Sequence, residues 1–173
     1  MRAFIGIDLP EPVKHAIDEE LKSHWPNITT LKPVPACNYH MTLAFLGTIE
    51  RLQIDSLKQQ LALIAAPQFS VSLDALSYWT KPPIAMVVPN SPPAALLGLQ
   101  SAVLEGVRNA GIATDDHTRR YKPHVTLARR FKQQDLPRVS VEFTWQVKSF
   151  HLFESLSTPK GVRYPIRGSW ALR

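Results

Sequence analysis

The chain has 173 residues, of which 45% are apolar, 20% charged and 9% aromatic, a globular make-up that excludes the disordered, collagenous and disulfide-scaffold classes. Its single cysteine, Cys37, rules out an internal disulfide, and no apolar run approaches the ~20 residues of a membrane helix. The formal charge of +6 is compatible with an anionic partner and is unevenly placed: residues 1–116 carry 8 basic and 11 acidic side chains, residues 117–173 carry 12 and 3.

Arg2 to Asp8 is short, apolar and β-branched before Pro10, which predicts a strand. Glu11 and Pro12 suit a helical first turn, and Val13, Ile17 and Leu21 give the following helix an apolar stripe that fades at Trp25-Pro26. Residues 26–39 read as a proline-punctuated loop or edge strand. Tyr39 to Leu46 reads as a buried strand closed by Gly47, and Ile54, Leu57, Leu61 and Ile64 mark a second helix. Phe69, Val71 and Leu73 alternate with polar residues as in a half-buried strand, and Ile84 to Val88 is another. Ser91 and Pro92-Pro93 predict the start of a third helix, striped by Leu96, Leu99, Val103 and Val107 and ended by Gly111. Thr114 to Lys122 reads as a loop and Pro123 to Ala128 as a strand. Val141 to Val147, Phe150 to Phe153 and Val162 to Leu172 read as closing strands.

Strand, helix, loop and a strand beginning with His occur twice, in residues 3–46 and 84–128. Leu9-Pro10 recurs as Val88-Pro89 at an offset of 79, and the two histidines are 84 residues apart. One bilobal catalytic domain over 1–173 is expected, with half-repeats near 1–68 and 80–130 and closing strands in 139–173. The class is α+β, with the halves packed about a pseudo-two-fold axis.

The repeated strands read His40-Met41-Thr42-Leu43-Ala44 and His124-Val125-Thr126-Leu127-Ala128. Residues i and i+2 of a strand share a face, so each strand presents an imidazole and a hydroxyl while Met41, Leu43, Val125 and Leu127 enter the core. Alternation places Ala44 and Ala128 next on the histidine faces, leaving room for a substrate. Two imidazoles flanking one phosphorus suit acid–base catalysis, because a group with a pKa near 6.5 serves as either base or acid at neutral pH. Hydroxyls donating to non-bridging oxygens stabilise the pentacoordinate charge. Structural hydrogen bonding is the plainer role for the histidines, and simple strand preference for the threonines. Metal binding is not expected, since His15, His24, His117 and His151 are scattered without a carboxylate or thiol cluster. A Cys37-His40 nucleophile is disfavoured because residues three apart in extended chain point oppositely. Trp25, Trp79, Trp145 and Trp170 lie in apolar stretches and read as packing residues.

His40-Met41-Thr42-Leu43-Ala44-Phe45-Leu46-Gly47 and His124-Val125-Thr126-Leu127 resemble the paired signatures of the two-histidine phosphoesterases, in the bacterial RNA 2',3'-cyclic phosphodiesterase or 2'-5' RNA ligase branch. The likeness runs from Phe4 through Tyr121-Lys122-Pro123-His124 to Arg163-Tyr164 and Trp170-Ala171-Leu172. It implies two antiparallel sheets flanking a central cleft with helices on the outer faces. It also implies opening of an RNA 2',3'-cyclic phosphate to a 2'-phosphate without metal or cofactor, and reverse 2'-5' ligation. His40 would be the acid on the leaving 3'-oxygen, His124 the base, and Thr42 and Thr126 the phosphate holders. The resemblance points to Arg129 in the cleft, whereas strict alternation points to Arg130; a strand-end bulge favours Arg129. Phe45 resembles a residue near the nucleobase, yet alternation puts it on the Met41 face, so core and stacking roles both stand.

Arg119, Arg120, Lys122, Arg129, Arg130 and Lys132 bracket His124, either as a solvated face or as a funnel for a phosphate backbone. The expected partner is RNA with a 2',3'-cyclic phosphate end, with no membrane, and a monomer in the cytoplasm. Asp8 falls too early for a secretory signal. Two rivals differ in substrate or in class: a phosphodiesterase on small nucleoside or ADP-ribose cyclic phosphates, and a non-catalytic basic module that holds RNA ends.

Overall fold

The structure, a computed structural model, describes residues 1–25, 31–118, 120–130 and 136–173. Strand β1 (Arg2–Asp8) leads into helix α1 (Glu11–His24), and a short β2 (Lys32–Pro33) and a 3-10 turn (Ala36–Asn38) precede β3 (His40–Thr48). Helix α2 (Arg51–Ala62) is followed by β4 (Phe69–Leu73), β5 (Ala75–Thr80), β6 (Pro83–Val88) and helix α3 (Ala94–Asn109). Then come β7 (Val125–Arg129), β8 (Phe143–Val147), β9 (Ser149–Glu154), β10 (Leu156–Thr158), β11 (Gly161–Arg163) and β12 (Ile166–Ala171).

All recorded pairings are antiparallel. One half-sheet runs β12-β9-β1-β3, the other β7-β6-β5 with β2 on β7, and they meet at Met41↔Val125. Strand β4 pairs with β8 and β10 with β11 as separate ribbons. The order reads alike from either side of the β3–β7 junction: β1 stands beside β3 as β6 stands beside β7. In register, Gly6 opposes Thr42 and Met86 opposes Thr126, so the first strands correspond at an offset of 80 and the Leu-Pro and Val-Pro pairs are not spatial counterparts.

One face of the sheet carries Ile5, Ile7, Met41, Leu43, Val125 and Leu127 into a core with Ile17 and Leu21 of α1, Leu57 and Leu61 of α2, and Leu96, Leu99, Val103 and Val107 of α3. These helical positions repeat at three and four residues, so each helix buries one stripe. Phe4, Phe153, Ile84 and Met86 are buried outside that cluster. Lys14 is buried on α1 because its ammonium donates to Asp8 Oδ1 at 2.9 Å and Glu11 Oε1 at 3.1 Å, which ties the helix to the end of β1. Gly6 has to lack a side chain: a Cβ there would lie 2.7 Å from the Met41 carbonyl oxygen.

Several boundaries differ from expectation. Gly47 does not end its strand; at φ 65° it lies within β3. Ser91 does not cap α3, whose N-cap is Pro93, but Gly111 does close it, with its N–H on Arg108 O and that of Ile112 on Val107 O. Tyr164-Pro165 divides the expected last strand into β11 and β12, and β5 is an additional strand whose hairpin with β6 carries Trp79. Trp25 and Trp145 are packing residues, as expected. No described helix is long and apolar enough to cross a membrane.

Candidate active site at the junction of the half-sheets

The pairing Met41↔Val125 sets the site. One residue to either side, His40 comes opposite Thr126 and Thr42 opposite His124, so each histidine faces the other strand's threonine. All four flank residues that point into the helical core, so all four lie on the opposite face. Diagonal positions in such a pair have Cα atoms roughly 7–8 Å apart, which leaves space for one tetrahedral group between the two rings.

Both imidazoles are clamped in the same way. His40 Nδ1 is 2.7 Å from the Asn38 carbonyl and His124 Nδ1 is 2.8 Å from the Lys122 carbonyl, in each case two residues back. A carbonyl only accepts, so Nδ1 carries the hydrogen and Nε2 is the atom each ring presents to a ligand. Asn38 is itself held, its Nδ2 donating to Val162 O at 2.9 Å.

Strict alternation fails once in β7 and twice in β3, where Leu46 is also extra between Phe45 and Gly47. Between Thr42 and Ala44, Leu43 is extra against β1, and between Thr126 and Ala128, Leu127 is extra against β6. The bulge flips every side chain beyond it. Ala44 and Ala128, expected to leave room beside the histidines, are therefore fully buried. Phe45 is turned out instead: it is 57% exposed, with its ring 6.2 Å from Phe4, a residue on the histidine face. Arg129 is the register equivalent of Phe45 and is likewise exposed, on the side of His124 and Thr126. Arg130 lies beyond the end of β7 at φ 59°.

Rings from distant parts of the chain surround His40: Phe4 at 4.6 Å, Tyr164 at 5.0 Å and Phe153 at 6.1 Å between centroids. A small cavity of about 60 Å³ beside it is lined by Asp8, Asn38, Phe153 and Tyr164 among others. Cys37 lines it too, because it sits in the 3-10 turn and not in extended chain; its Sγ accepts from Arg163 at 3.2 Å. Among the described residues, the aromatic neighbour recorded for His124 is Trp79 at 4.8 Å, which is thus a site residue and not a buried packing one.

Burial lowers His40 from 6.5 to about 4, helped by the positive charges of His124 and Arg129 and opposed by the Asn38 carbonyl and Asp8. His124 is also lowered, by burial, against the pull of the Lys122 carbonyl. That Arg129 and His124 act on His40 places both within electrostatic reach of it.

A loop between the halves grips β3. Asp116 Oδ2 accepts the Phe45 amide at 2.7 Å, Thr114 Oγ1 donates to the Phe45 carbonyl at 2.7 Å, and the Tyr121 hydroxyl donates to the Thr42 carbonyl at 3.1 Å. Sequence reasoning passed over these three and the rings around His40, since each acts from a remote segment; only Phe4, Tyr121 and Tyr164 fell within the stretches that carried the resemblance. Arg120, Lys122, Arg129 and Arg130 are exposed, while Arg119 and Lys132 lie outside the described residues. Among the described residues, no three His, Cys, Asp or Glu side chains gather as a metal-binding group.

The sequence model of the 2'-5' RNA ligase superfamily matches residues 12–158. The chain is 28% identical to the RNA 2',3'-cyclic phosphodiesterase of Escherichia coli, over 99% of this chain and 96% of that protein. It is 32% identical to the protein of the same name from Bacillus subtilis, over 87% and 86% of the two chains. Its fold superposes on the crystal structure of Escherichia coli LigT complexed with 3'-AMP with a TM-score of 0.91 at 27% identity, covering 99% of this chain and 97% of that one.

Proposed function

As this chain belongs to the 2'-5' RNA ligase superfamily, we propose that it opens the 2',3'-cyclic phosphate at an RNA end to leave a 2'-phosphate, with His40 and His124 as the acid–base pair. The observation that carries this reading is the duplicated clamp: two Nδ1 atoms tied to backbone carbonyls leave two Nε2 atoms to work across one paired junction.

The surroundings divide the labour. A nucleoside needs accessible aromatic faces, and on the His40 side the exposed Phe45 ring and the half-buried Tyr164 ring supply them, so the ribose and its departing 3'-oxygen belong on that side. His124 Nε2 takes a proton from water, the water oxygen bonds to phosphorus, the P–O3' bond breaks, and His40 Nε2–H delivers a proton to the 3'-oxygen. Thr42 and Thr126 donate to the non-bridging oxygens and Arg129 offsets their growing charge. Phe45, exposed beside Phe4, offers a face to the base. Arg130 holds a more distant phosphate.

In the free protein the more depressed His40 is neutral at pH 7. The anionic phosphate reverses that preference by favouring the charged imidazolium, so the acid acquires its proton with the substrate. Both proton transfers use side chains alone, and turnover persists in EDTA. We place the enzyme in the cytoplasm as a monomer, consistent with a lone thiol.

The test is incubation with an RNA carrying a 2',3'-cyclic phosphate end. The wild-type protein yields a 2'-phosphate, and His40→Ala and His124→Ala each lose about 10³-fold or more in kcat while keeping the wild-type melting temperature. A well-folded His124→Ala protein with wild-type turnover overturns the assignment, and so does a wild type that only binds.

A further inference from the structure

In-line chemistry at phosphorus has two sides, and only one is accounted for by the nucleoside that bears the cyclic phosphate. The other side, behind His124, receives the nucleophile. A water molecule occupies about 30 Å³ and needs no prepared groove. Yet the surface there is a groove of about 490 Å³ lined by Tyr78, Trp79, Thr80, Lys81 and Lys122, and it begins at the Trp79 ring that touches His124.

Its chemistry is that of a single-stranded nucleic-acid track. Trp79 and Tyr78 supply π-faces, and Lys81 and Lys122 supply exposed ammonium groups. Lys81 and Lys122 form no ion pair with a described carboxylate, so they are available to phosphates. Across the sheet, Trp79, Ile84 and Arg129 form one lateral row, which joins the groove to the reacting phosphate.

We infer that this groove, on the β5–β6 hairpin, binds a second RNA strand through its nucleotides next to a 5'-hydroxyl, the strand that replaces water when the site forms or cleaves a 2'-5' linkage. The inference rests on the function proposed above. In the forming direction the 5'-hydroxyl loses its proton to His124 Nε2, its oxygen bonds to phosphorus, the P–O3' bond breaks, and the 3'-oxygen takes the proton of His40. The product is a 2'-5' diester with a free 3'-hydroxyl, and no other reactant is consumed. Cleavage runs the same steps backwards, with His124 protonating the departing 5'-oxygen.

The probe is an RNA hexamer with a 5'-hydroxyl and a 3'-deoxy, fluorescein-labelled end, followed by anisotropy on the whole protein with and without saturating adenosine 2'-monophosphate. We expect the hexamer to stay bound when the mononucleotide fills the phosphate site. Lys81→Glu weakens hexamer binding about tenfold and flattens its salt dependence, and Lys81→Gln does so less. The same charge reversal slows cleavage of a 2'-5'-linked dinucleotide about tenfold while hydrolysis of cytidine 2',3'-cyclic phosphate stays within about twofold of wild type. Displacement of the hexamer by the mononucleotide overturns the inference, as does a Lys81→Glu protein unchanged in hexamer binding or equally impaired on both substrates. A wild type inert on every cyclic phosphate overturns the function instead, and the two failures are separable because hexamer competition needs no turnover.

Discussion

The two His-x-Thr strands are built on one plan and furnished differently. Each has its imidazole tied through Nδ1 to the carbonyl two residues back, a threonine two residues on, and an extra leucine that turns the fifth residue after the histidine outwards. That fifth residue is Phe45 in the first strand and Arg129 in the second. Around His40 stand Phe4, Phe153 and Tyr164; near His124 stand Trp79 and exposed cations. A backbone motif used twice thus supplies symmetric proton carriers, and its surroundings break the symmetry, as recognition of an asymmetric substrate requires. One side is dressed for a base and sugar, the other for phosphates.

Removing the cation tests this division most severely. Arg129→Ala should lose about 10²-fold in kcat/KM, the cost of one donor to a transition-state oxyanion. Because Arg129 holds the His40 pKa down, and His40 is the lower of the pair, the same substitution should also move the acid limb of the kcat/KM profile upwards. A wild-type profile with normal turnover would show that the fifth residue is idle in the second strand.

Removing the aromatic face should cost less. Phe45→Ala is expected to raise KM about tenfold with kcat nearly unchanged, as loss of one base stack implies. An effect on kcat as large as that of Arg129→Ala would erase the contrast between the strands. The exposure of Phe45 means that its loss should leave the melting temperature within a few degrees of wild type.

The smallest effect is a displacement of the pH profile. His40 is lowered to about 4 and His124 is lowered from 6.5 by less, so in the free protein the acid loses its proton before the base does. The reactive pairing of neutral His124 with charged His40 is a minor form of the singly protonated pair, most populated below pH 6.5. The bell of kcat/KM, which reports the free protein, should therefore peak on the acid side of 6.5, with limbs that belong to the coupled pair. The bell of kcat should lie at higher pH, since a bound phosphate anion raises both groups. Coincident bells would mean that substrate charge does not reach the pair.

Much of this was legible in the residues. His40-x-Thr42 and His124-x-Thr126 declared their shared face by spacing alone, and the stripes of α1, α2 and α3 named their buried sides. What alternation could not give is the bulge, because an extra residue exists only relative to the strand beside it. Leu43 and Leu127 look like any inward residue, yet they exchange the places of Ala44 with Phe45 and of Ala128 with Arg129. Nor could local pattern place Phe4, Phe153, Tyr164 and Trp79 around the imidazoles, since those rings arrive from strands paired across long stretches of chain. The hairpin strand β5 escaped notice because its face is half-buried throughout, with no alternation to read.

The grip of Thr114, Asp116 and Tyr121 on β3 bears on how the halves can move. The direct ladder contact between β3 and β7 is one register pair, with β2 adding two more on β7. The segment that must in any case run from α3 to the second histidine is fastened along the first histidine's strand, so the linker doubles as a clasp. The spacing of the two imidazoles is then a property of the ground state, present before any ligand arrives, and a phosphate meets a gauge already set.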